Sequence, residues 1–365
     1  MASTSDPKLF LFKGRGSQVA VAHRFERWTR EQADDGWFAE EEAGAFNNRT
    51  EVRYETARSA LTRNSSPDIA FDLSLNPYRG CEHGCSYCYA RPSHSYLNLS
   101  PGLDFEQQLI AKINLPEVLR QELSNPRYQP QALAIGTVTD AYQPIERRLG
   151  LTRQIMAVLA ESRHPFSLVT KGSAIERDLD LLANLARQGL VAVYVTLTTL
   201  DGKLAREMEP RAASPHRRLR LIQQLSEAGV PVGVSLAPQI PFLNDDMEAC
   251  LQAAKEAGAR SAFYAILRLP WELSPLFRQW LQQHYPQRAD RVMARVQEMR
   301  GGKDYDATWG QRQRGTGLWS QLLAQRFDKA CQRLSLNRER FHLDFSKFRR
   351  PQPQGQQSLF TDDIF

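Results

Sequence analysis

The chain has 365 residues, 42% of them hydrophobic, with a formal charge of +6 and a pI near 9.1. That is enough chain for one large core with extensions. No run approaches about eighteen apolar residues, and the opening Met-Ala-Ser-Thr-Ser-Asp has no charged segment leading into an apolar one. These features exclude a helical membrane span and a secretory leader and predict a cytoplasmic protein; the excess charge, mostly arginine, leans toward a polyanion such as nucleic acid.

Residues 1–66 are polar, with Phe25, Trp28 and Trp37 as their main apolar points. They read as an irregular, partly disordered N-terminal extension without a catalytic role. From 67 to 270, β-rich runs are predicted at 69–75, 132–136, 166–170, 192–197, 230–236 and 261–267. Amphipathic helical patterns fall between them at 151–163, 175–188, 215–228 and 245–257, with Gly189, Gly229 and Gly258 placed as C-terminal helix caps. Six βα units in succession predict an α/β fold, either a partial (β/α)6 barrel of the TIM type or a doubly wound open sheet. The C-terminal ends of the strands favour the barrel. They carry a cysteine loop, Thr137, Thr139 and Asp140, Thr170 and Lys171, Thr196, Thr198 and Thr199, Gln239, and Arg268, where barrel enzymes build their active sites. Residues 271–346 read as a helical C-terminal extension, rich in arginine, with helices at 275–284, 287–299 and 318–334 that cover the open side of the barrel or present a basic surface. Residues 347–365 are a polar tether ending in an apolar element, as in tails that fix an anchor in a partner's groove.

The chemistry concentrates in Asn76-Pro-Tyr-Arg-Gly-Cys-Glu-His-Gly-Cys-Ser-Tyr-Cys-Tyr-Ala90. Three of the five cysteines, Cys81, Cys85 and Cys88, stand there as C-x3-C-x2-C; Cys250 and Cys331 lie in helical patterns elsewhere and read as packing residues. Thiolates are the usual ligands of cluster iron, and three of them on a short loop leave the fourth iron of a four-iron cluster open to an exogenous ligand. A structural zinc site with His83 or His94 as fourth ligand is the alternative, although zinc sites usually pair two C-x2-C knuckles and no second pair exists.

With Tyr87 directly before the last cysteine, this loop resembles the signature of the radical S-adenosylmethionine (radical SAM) superfamily. The longer run from Asn76 to Pro92 resembles the branch that includes spore photoproduct lyase and the "DNA repair photolyase-like" proteins. The resemblance runs from about residue 67 to about 269. It implies a partial barrel and an enzyme whose [4Fe-4S] cluster, on Cys81, Cys85 and Cys88, cleaves S-adenosylmethionine (SAM) to a 5′-deoxyadenosyl radical. That radical would abstract hydrogen from a substrate, with a nucleic-acid base or its lesion as one class and a tRNA, peptide or small metabolite as another. It also implies a flavodoxin- or ferredoxin-type electron donor. A non-catalytic iron–sulfur or zinc protein is the reading from a different class.

For SAM, the resemblance points to Tyr87 against the adenine, Tyr89 nearby, Thr137 and Thr139 at the methionyl group, and Thr196 and Thr198 at the ribose. Lys171 is the candidate for the carboxylate, and Glu209 and Arg211 of the Glu-Pro-Arg segment close the pocket. Asp140, Gln143 and Glu146 face cosubstrate or substrate. Spore photoproduct lyase carries a hydrogen-donating cysteine near the end of its second strand, and the corresponding stretch 134–140 has none, which argues against that particular reaction. Gln356, Gln357, Ser358, Leu359 and Phe360 resemble the Q-x-x-L-F peptide with which bacterial replication and repair proteins bind the sliding clamp.

Overall fold

The structure is a computed structural model, which describes residues 14–19, 21–26 and 49–351. Trp28, Trp37 and the clamp-like peptide Gln356 to Phe360 lie outside the described residues.

Six parallel strands form the centre: β1 (Leu73–Leu75), β2 (Leu133–Ile135), β3 (Phe166–Thr170), β4 (Val191–Thr196), β5 (Val232–Gln239) and β6 (Ser261–Ile266). Each pairs in parallel with the next in chain order, and Thr62–Arg63 adds one antiparallel strand at the β1 edge. A doubly wound sheet reverses its strand order at a switch point. This one never does, so right-handed crossovers put every helix on the same face and the sheet curls into a partial barrel.

The strands read as near-continuous apolar runs because both faces are covered. Val191, Ala192, Val193 and Val195 of β4 are all buried. Predicted and observed strand bounds agree within about two residues except at the start of β1 and the end of β5, where strand pairing stops at Leu73 and continues to Gln239. The predicted helix at 175–188 is a 3-10 segment, Ser173–Asp178, followed by an α-helix, Leu179–Arg187. The other crossover helices are Leu115–Ser124, Leu151–Glu161, Pro215–Glu227 and Met247–Glu256. Gly189, Gly229 and Gly258 each follow a helix with φ of 71°, 77° and 105°.

Part of the region read as irregular is regular. Glu51–Glu55 pairs in parallel with Gln108–Lys112, which also takes Tyr78–Arg79 antiparallel, giving a small three-stranded sheet beside the cysteine loop. Its partners are tens of residues apart, so no local turn signal announces it; strand propensity is realised only against a neighbour.

Among the described residues, no helix is long and apolar enough to cross a membrane. Leu273–His284 and Pro286–Glu298 lie over the cysteine loop, where Phe277, Trp280, Val292 and Val296 share a buried cluster with Cys85 and Tyr87. Trp280 Nε1 donates to Glu207 O at 3.1 Å. These helices therefore cover chemistry rather than only presenting charge. Gly317–Leu334 packs on Met247–Glu256, tied by Arg326 to Glu248 at 2.7 Å.

Away from the loop, His164 is fully buried and its ring nitrogens face Pro165 O and Tyr128 Oη, each at 2.8 Å. The carbonyl requires Nδ1–H to donate, so Nε2 accepts from the tyrosine and the neutral ring is satisfied on both sides. Burial lowers its pKa to about 4, against an ordinary 6.5. The unfolded chain therefore binds the extra proton first. Stability is complete above about pH 6.5 and falls between there and about pH 4, by on the order of 2–3 kcal/mol. Urea unfolding at about pH 7 and pH 5 should show this slope, and it should be largely absent in His164→Leu.

Candidate functional site

The cysteine loop follows β1, over the C-terminal ends of the strands. It is held by backbone and by buried charge. Arg91, 1% exposed, donates Nε to Cys85 O at 2.9 Å and Nη1 to Gly102 O at 2.8 Å, and pairs with buried Glu106 at 2.5 Å. Glu106 also accepts from Gly16 N and Ser17 N at 3.0 and 2.9 Å, so residues 14–19 pass directly over the loop. At Gly16 a Cβ would stand 1.6 Å from Gly84 O, and at Gly84, with φ of 67°, it would meet Glu106 Oε2 at 2.6 Å. No side chain fits between these backbones.

Cys81 and Cys85 are buried and Cys88 is partly exposed. Burial pushes the Cys81 thiol well above its ordinary value and the Cys85 thiol to about 12, with Lys171 and Arg218 only partly offsetting the latter. Such thiols ionise when bound iron compensates the charge. Among the described residues no three His, Cys, Asp or Glu side chains converge on a single-ion site, whereas a cubane takes its thiolates at separate corners. Each of the two histidines proposed for zinc turns one ring nitrogen toward a protein oxygen, although both Nδ1 atoms are buried without a hydrogen bond among the described residues. His94 Nε2 lies 3.0 Å from Gln108 O, and His83 Nδ1 lies 3.3 Å from Asp140 Oδ2, without hydrogen-bond alignment. The donor set fits an iron–sulfur cluster.

Beneath the loop lies a buried charged network. Glu209 accepts from Tyr87 Oη, Thr198 Oγ1 and Arg218 Nη2, and Arg218 Nη1 donates to Thr196 O at 3.1 Å. Burial alone would raise the Glu209 carboxyl, but Arg218 and Lys171 hold it below the ordinary range. The Glu-Pro-Arg segment is stitched to the loop: Ser86 N donates to Met208 O at 2.9 Å, Arg211 N to His83 O at 3.3 Å, and the Arg211 side chain pairs with Glu82 at 3.1 Å.

Asp140, at the end of β2, accepts from Thr170 Oγ1 at 2.6 Å, Lys171 N at 2.7 Å and Tyr142 N at 2.8 Å. Burial works against its charge, yet facing His83 and these donors hold it well below the usual carboxylate range. Lys171 is opposed by burial and raised by Cys85, Glu209 and Asp140. Its ammonium lies 5.9 Å from the centre of the Tyr87 ring and has no hydrogen bond or ion pair among the described residues.

The predicted cosubstrate residues thus divide. Thr139 Oγ1 donates to Gly80 O at 2.7 Å and accepts from Gln143, Thr137 Oγ1 accepts from Asn76 Nδ2 at 3.1 Å, and Thr198, Glu209 and Arg211 are spent as described. Gln143 also takes Glu82 N at 2.8 Å, and Glu146 binds Tyr78, Thr152 and Arg177, so both brace the fold. Lys171 and the Thr196 hydroxyl keep polar groups without a protein partner among the described residues. Tyr87 and Tyr89 offer ring faces, Tyr89 donating to Thr137 O with Arg268 stacked 4.1 Å from its centre. Arg218 was missed by the motif reading. Its signal was present, since it shares a helix face with Leu221, Ile222 and Leu225, and a charge on an apolar face needs a buried partner.

Three thiols thus stand on the loop after the first strand of a partial parallel barrel, beside a lysine ammonium that has no ion pair among the described residues. The chain matches the radical SAM superfamily over residues 75–254. It is 39% identical over 240 residues to uncharacterized proteins of Mycobacterium bovis and Mycobacterium tuberculosis, covering 64% of this chain and 70% of each of theirs. Among solved structures its fold resembles a cysteine-to-serine variant of spore photoproduct lyase, with a TM-score of 0.54 and 15% identity over 78% of this chain and 79% of that one. The chain belongs to the radical SAM superfamily, whose enzymes use a [4Fe-4S] cluster and SAM and draw an electron from a reductant.

Proposed function

We propose that this chain, with a [4Fe-4S] cluster on Cys81, Cys85 and Cys88 and SAM beside it, abstracts hydrogen from a nucleic-acid substrate. The observation that carries this reading is the Lys171 ammonium, which lies in the field of Cys85, Glu209 and Asp140 but has no ion pair among the described residues. When bound, the cluster and SAM supply a 5′-deoxyadenosyl radical. Lys171 takes the SAM carboxylate, Thr196 a ribose hydroxyl, and the Tyr87 ring packs against the adenine. Thr137, Thr139, Thr198, Glu209 and Arg211 act through the loop and these residues.

Nucleic acid is favoured by the rim. Arg268 has no acceptor among the described residues and lies on Tyr89, while Tyr96 and Trp271, 68% and 61% exposed, flank Arg24, whose guanidinium is paired with Glu272 at 2.7 Å and so supplies a stacking face rather than a phosphate contact. Aromatic faces interleaved with arginine stack unpaired bases and hold phosphates. A spore photoproduct lyase variant of the same fold was solved with AdoMet and dinucleoside spore photoproduct, with a TM-score of 0.52 and 13% identity over 78% of this chain and 79% of that one. The peptide Gln356 to Phe360 is proposed as a sliding-clamp contact.

Anaerobic reconstitution followed by 5′-deoxyadenosine release with reductant tests the reading, with damaged single-stranded DNA, tRNA or neither added. DNA should raise the yield of 5′-deoxyadenosine, and stimulation by tRNA alone would move the substrate to the second class. Lys171→Met should weaken SAM binding by about tenfold or more, measured by equilibrium dialysis. Truncation after Gly355 should leave cleavage unchanged and abolish capture by clamp.

A further inference from the structure

Two arginines at the end of β6 have no ion pair among the described residues. Arg268, half-buried, stacks 4.1 Å from the centre of the Tyr89 ring. Beside it Arg300 is only 2% exposed, and its guanidinium meets backbone alone: Nη2 donates to Leu267 O and Nη1 to Gln311 O, each at 2.9 Å. Its Nε is buried with no partner among the described residues. Burial pushes the Arg300 guanidinium down to about 10, and neighbouring Arg268 opposes its charge further. The carboxylate that acts on Arg300, Asp306, accepts from Thr308 N at 2.8 Å. A buried charge without a counter-ion is costly to hold, and such groups collect where a ligand supplies the missing charge.

SAM does not satisfy both ends of the mouth. It brings one carboxylate, which falls to Lys171, together with a sulfonium cation that Arg268 repels. A second anion must come with the substrate. We propose that Arg268, backed by the buried charge of Arg300, takes a phosphate group of the substrate, an inference that rests on the reading of that substrate as nucleic acid. A planar guanidinium suits a phosphate bidentately, and stacking on Tyr89 holds its plane. Tyr89 directly follows Cys88, so the phosphate is held close to the cysteine loop. Both arginines lie outside residues 75–254, the part that matches the superfamily. The segment that fixes them lies outside it too. Ile266 N donates to Gln313 O at 2.9 Å, while Asp68 accepts from Gly310 N at 2.6 Å and pairs with Arg312 at 2.5 Å, which straps residues 310–313 across the end of β6. The phosphate subsite is therefore an addition that this chain makes to the shared barrel.

Binding to the reconstituted holoenzyme with SAM tests this without turnover. Calorimetry should show thymidine monophosphate bound about tenfold more tightly than thymidine, and Arg268→Gln should bring the two affinities together. Arg300→Gln removes the buried charge but keeps an amide for the carbonyls. It should narrow the same ratio, whereas a merely structural change weakens both ligands alike. A fluorescein-labelled oligothymidylate, followed by anisotropy across a KCl series, should lose about one from its salt slope in Arg268→Gln. Equal affinity for the two small ligands in wild type, or an unchanged ratio in Arg268→Gln, would overturn the proposal. So would a loss of SAM affinity in Arg268→Gln as large as the loss for the monophosphate, measured by equilibrium dialysis, since the guanidinium would then serve the cosubstrate. If the monophosphate binds in this arginine-dependent way while the oligonucleotide does not bind, the nucleic-acid reading falls and the phosphate subsite stands.

Discussion

Cys85→Ala should lose its iron and its 5′-deoxyadenosine release while remaining folded. The thiol is the only part of Cys85 the substitution removes. The loop's other supports are backbone: Arg91 Nε to Cys85 O at 2.9 Å, Cys88 N to Cys85 O at 3.3 Å, and Ser86 N to Met208 O at 2.9 Å. Deleting one small buried group costs about 1 kcal/mol, within what a chain of this size tolerates. Losing one of three thiolates leaves a cluster with two protein anchors, too few to keep the cubane in place. Iron content, visible absorbance and circular dichroism should report the split, with iron and cleavage near zero and helix content close to wild type. Cys250→Ala, buried in the helix Met247–Glu256, is the control and should retain both activities. Retention of iron and cleavage by the Cys85 variant would show that these thiols are not the cluster's ligands.

The largest loss of stability should come from Glu209→Ala. Glu209 is 2% exposed and Arg218 1%, and the carboxylate also receives Tyr87 Oη and Thr198 Oγ1. Removing it leaves the buried guanidinium without its counter-charge, held by Ala213 O and Thr196 O, and takes the acceptor from the phenol and the hydroxyl. Breaking such a pair from one side costs about 3–5 kcal/mol, because the remaining charge has lost both water and partner. The double variant Glu209→Met, Arg218→Met takes out both charges and should recover much of that loss, since replacing a whole buried pair by apolar groups is often neutral. Urea denaturation of the cluster-free variants measures both outcomes. A loss below about 1 kcal/mol in Glu209→Ala would mean that the network opens to water.

Much of the framework was legible along the chain. The alternation of β runs and amphipathic helices marks six βα units, and the glycines after helices mark their ends, because period and capping are local properties. The cysteine spacing was legible for the same reason, since one short loop carries every proposed ligand. The polar residues at the strand ends already favoured the barrel over the doubly wound sheet, and the observed strand order bears it out. The small sheet of Glu51–Glu55, Tyr78–Arg79 and Gln108–Lys112 was not legible, because its partners meet only after the intervening chain has folded.

The candidate site divides along the same line. Residue type and motif placed Thr137, Thr139, Thr196 and Thr198 near the mouth, but type alone does not say where a hydroxyl is spent. Thr139 faces Gly80 O and Thr198 faces Glu209, whereas Thr196 keeps its hydroxyl unpartnered among the described residues. By itself the sequence determined the kind of chemistry, three soft ligands on one loop after the first of six strands, since that information lies within a few contiguous residues. Tertiary structure decided which polar groups remain available to a cosubstrate. Availability depends on what else stands within hydrogen-bonding distance, and buried groups from distant parts of the chain claim one another first.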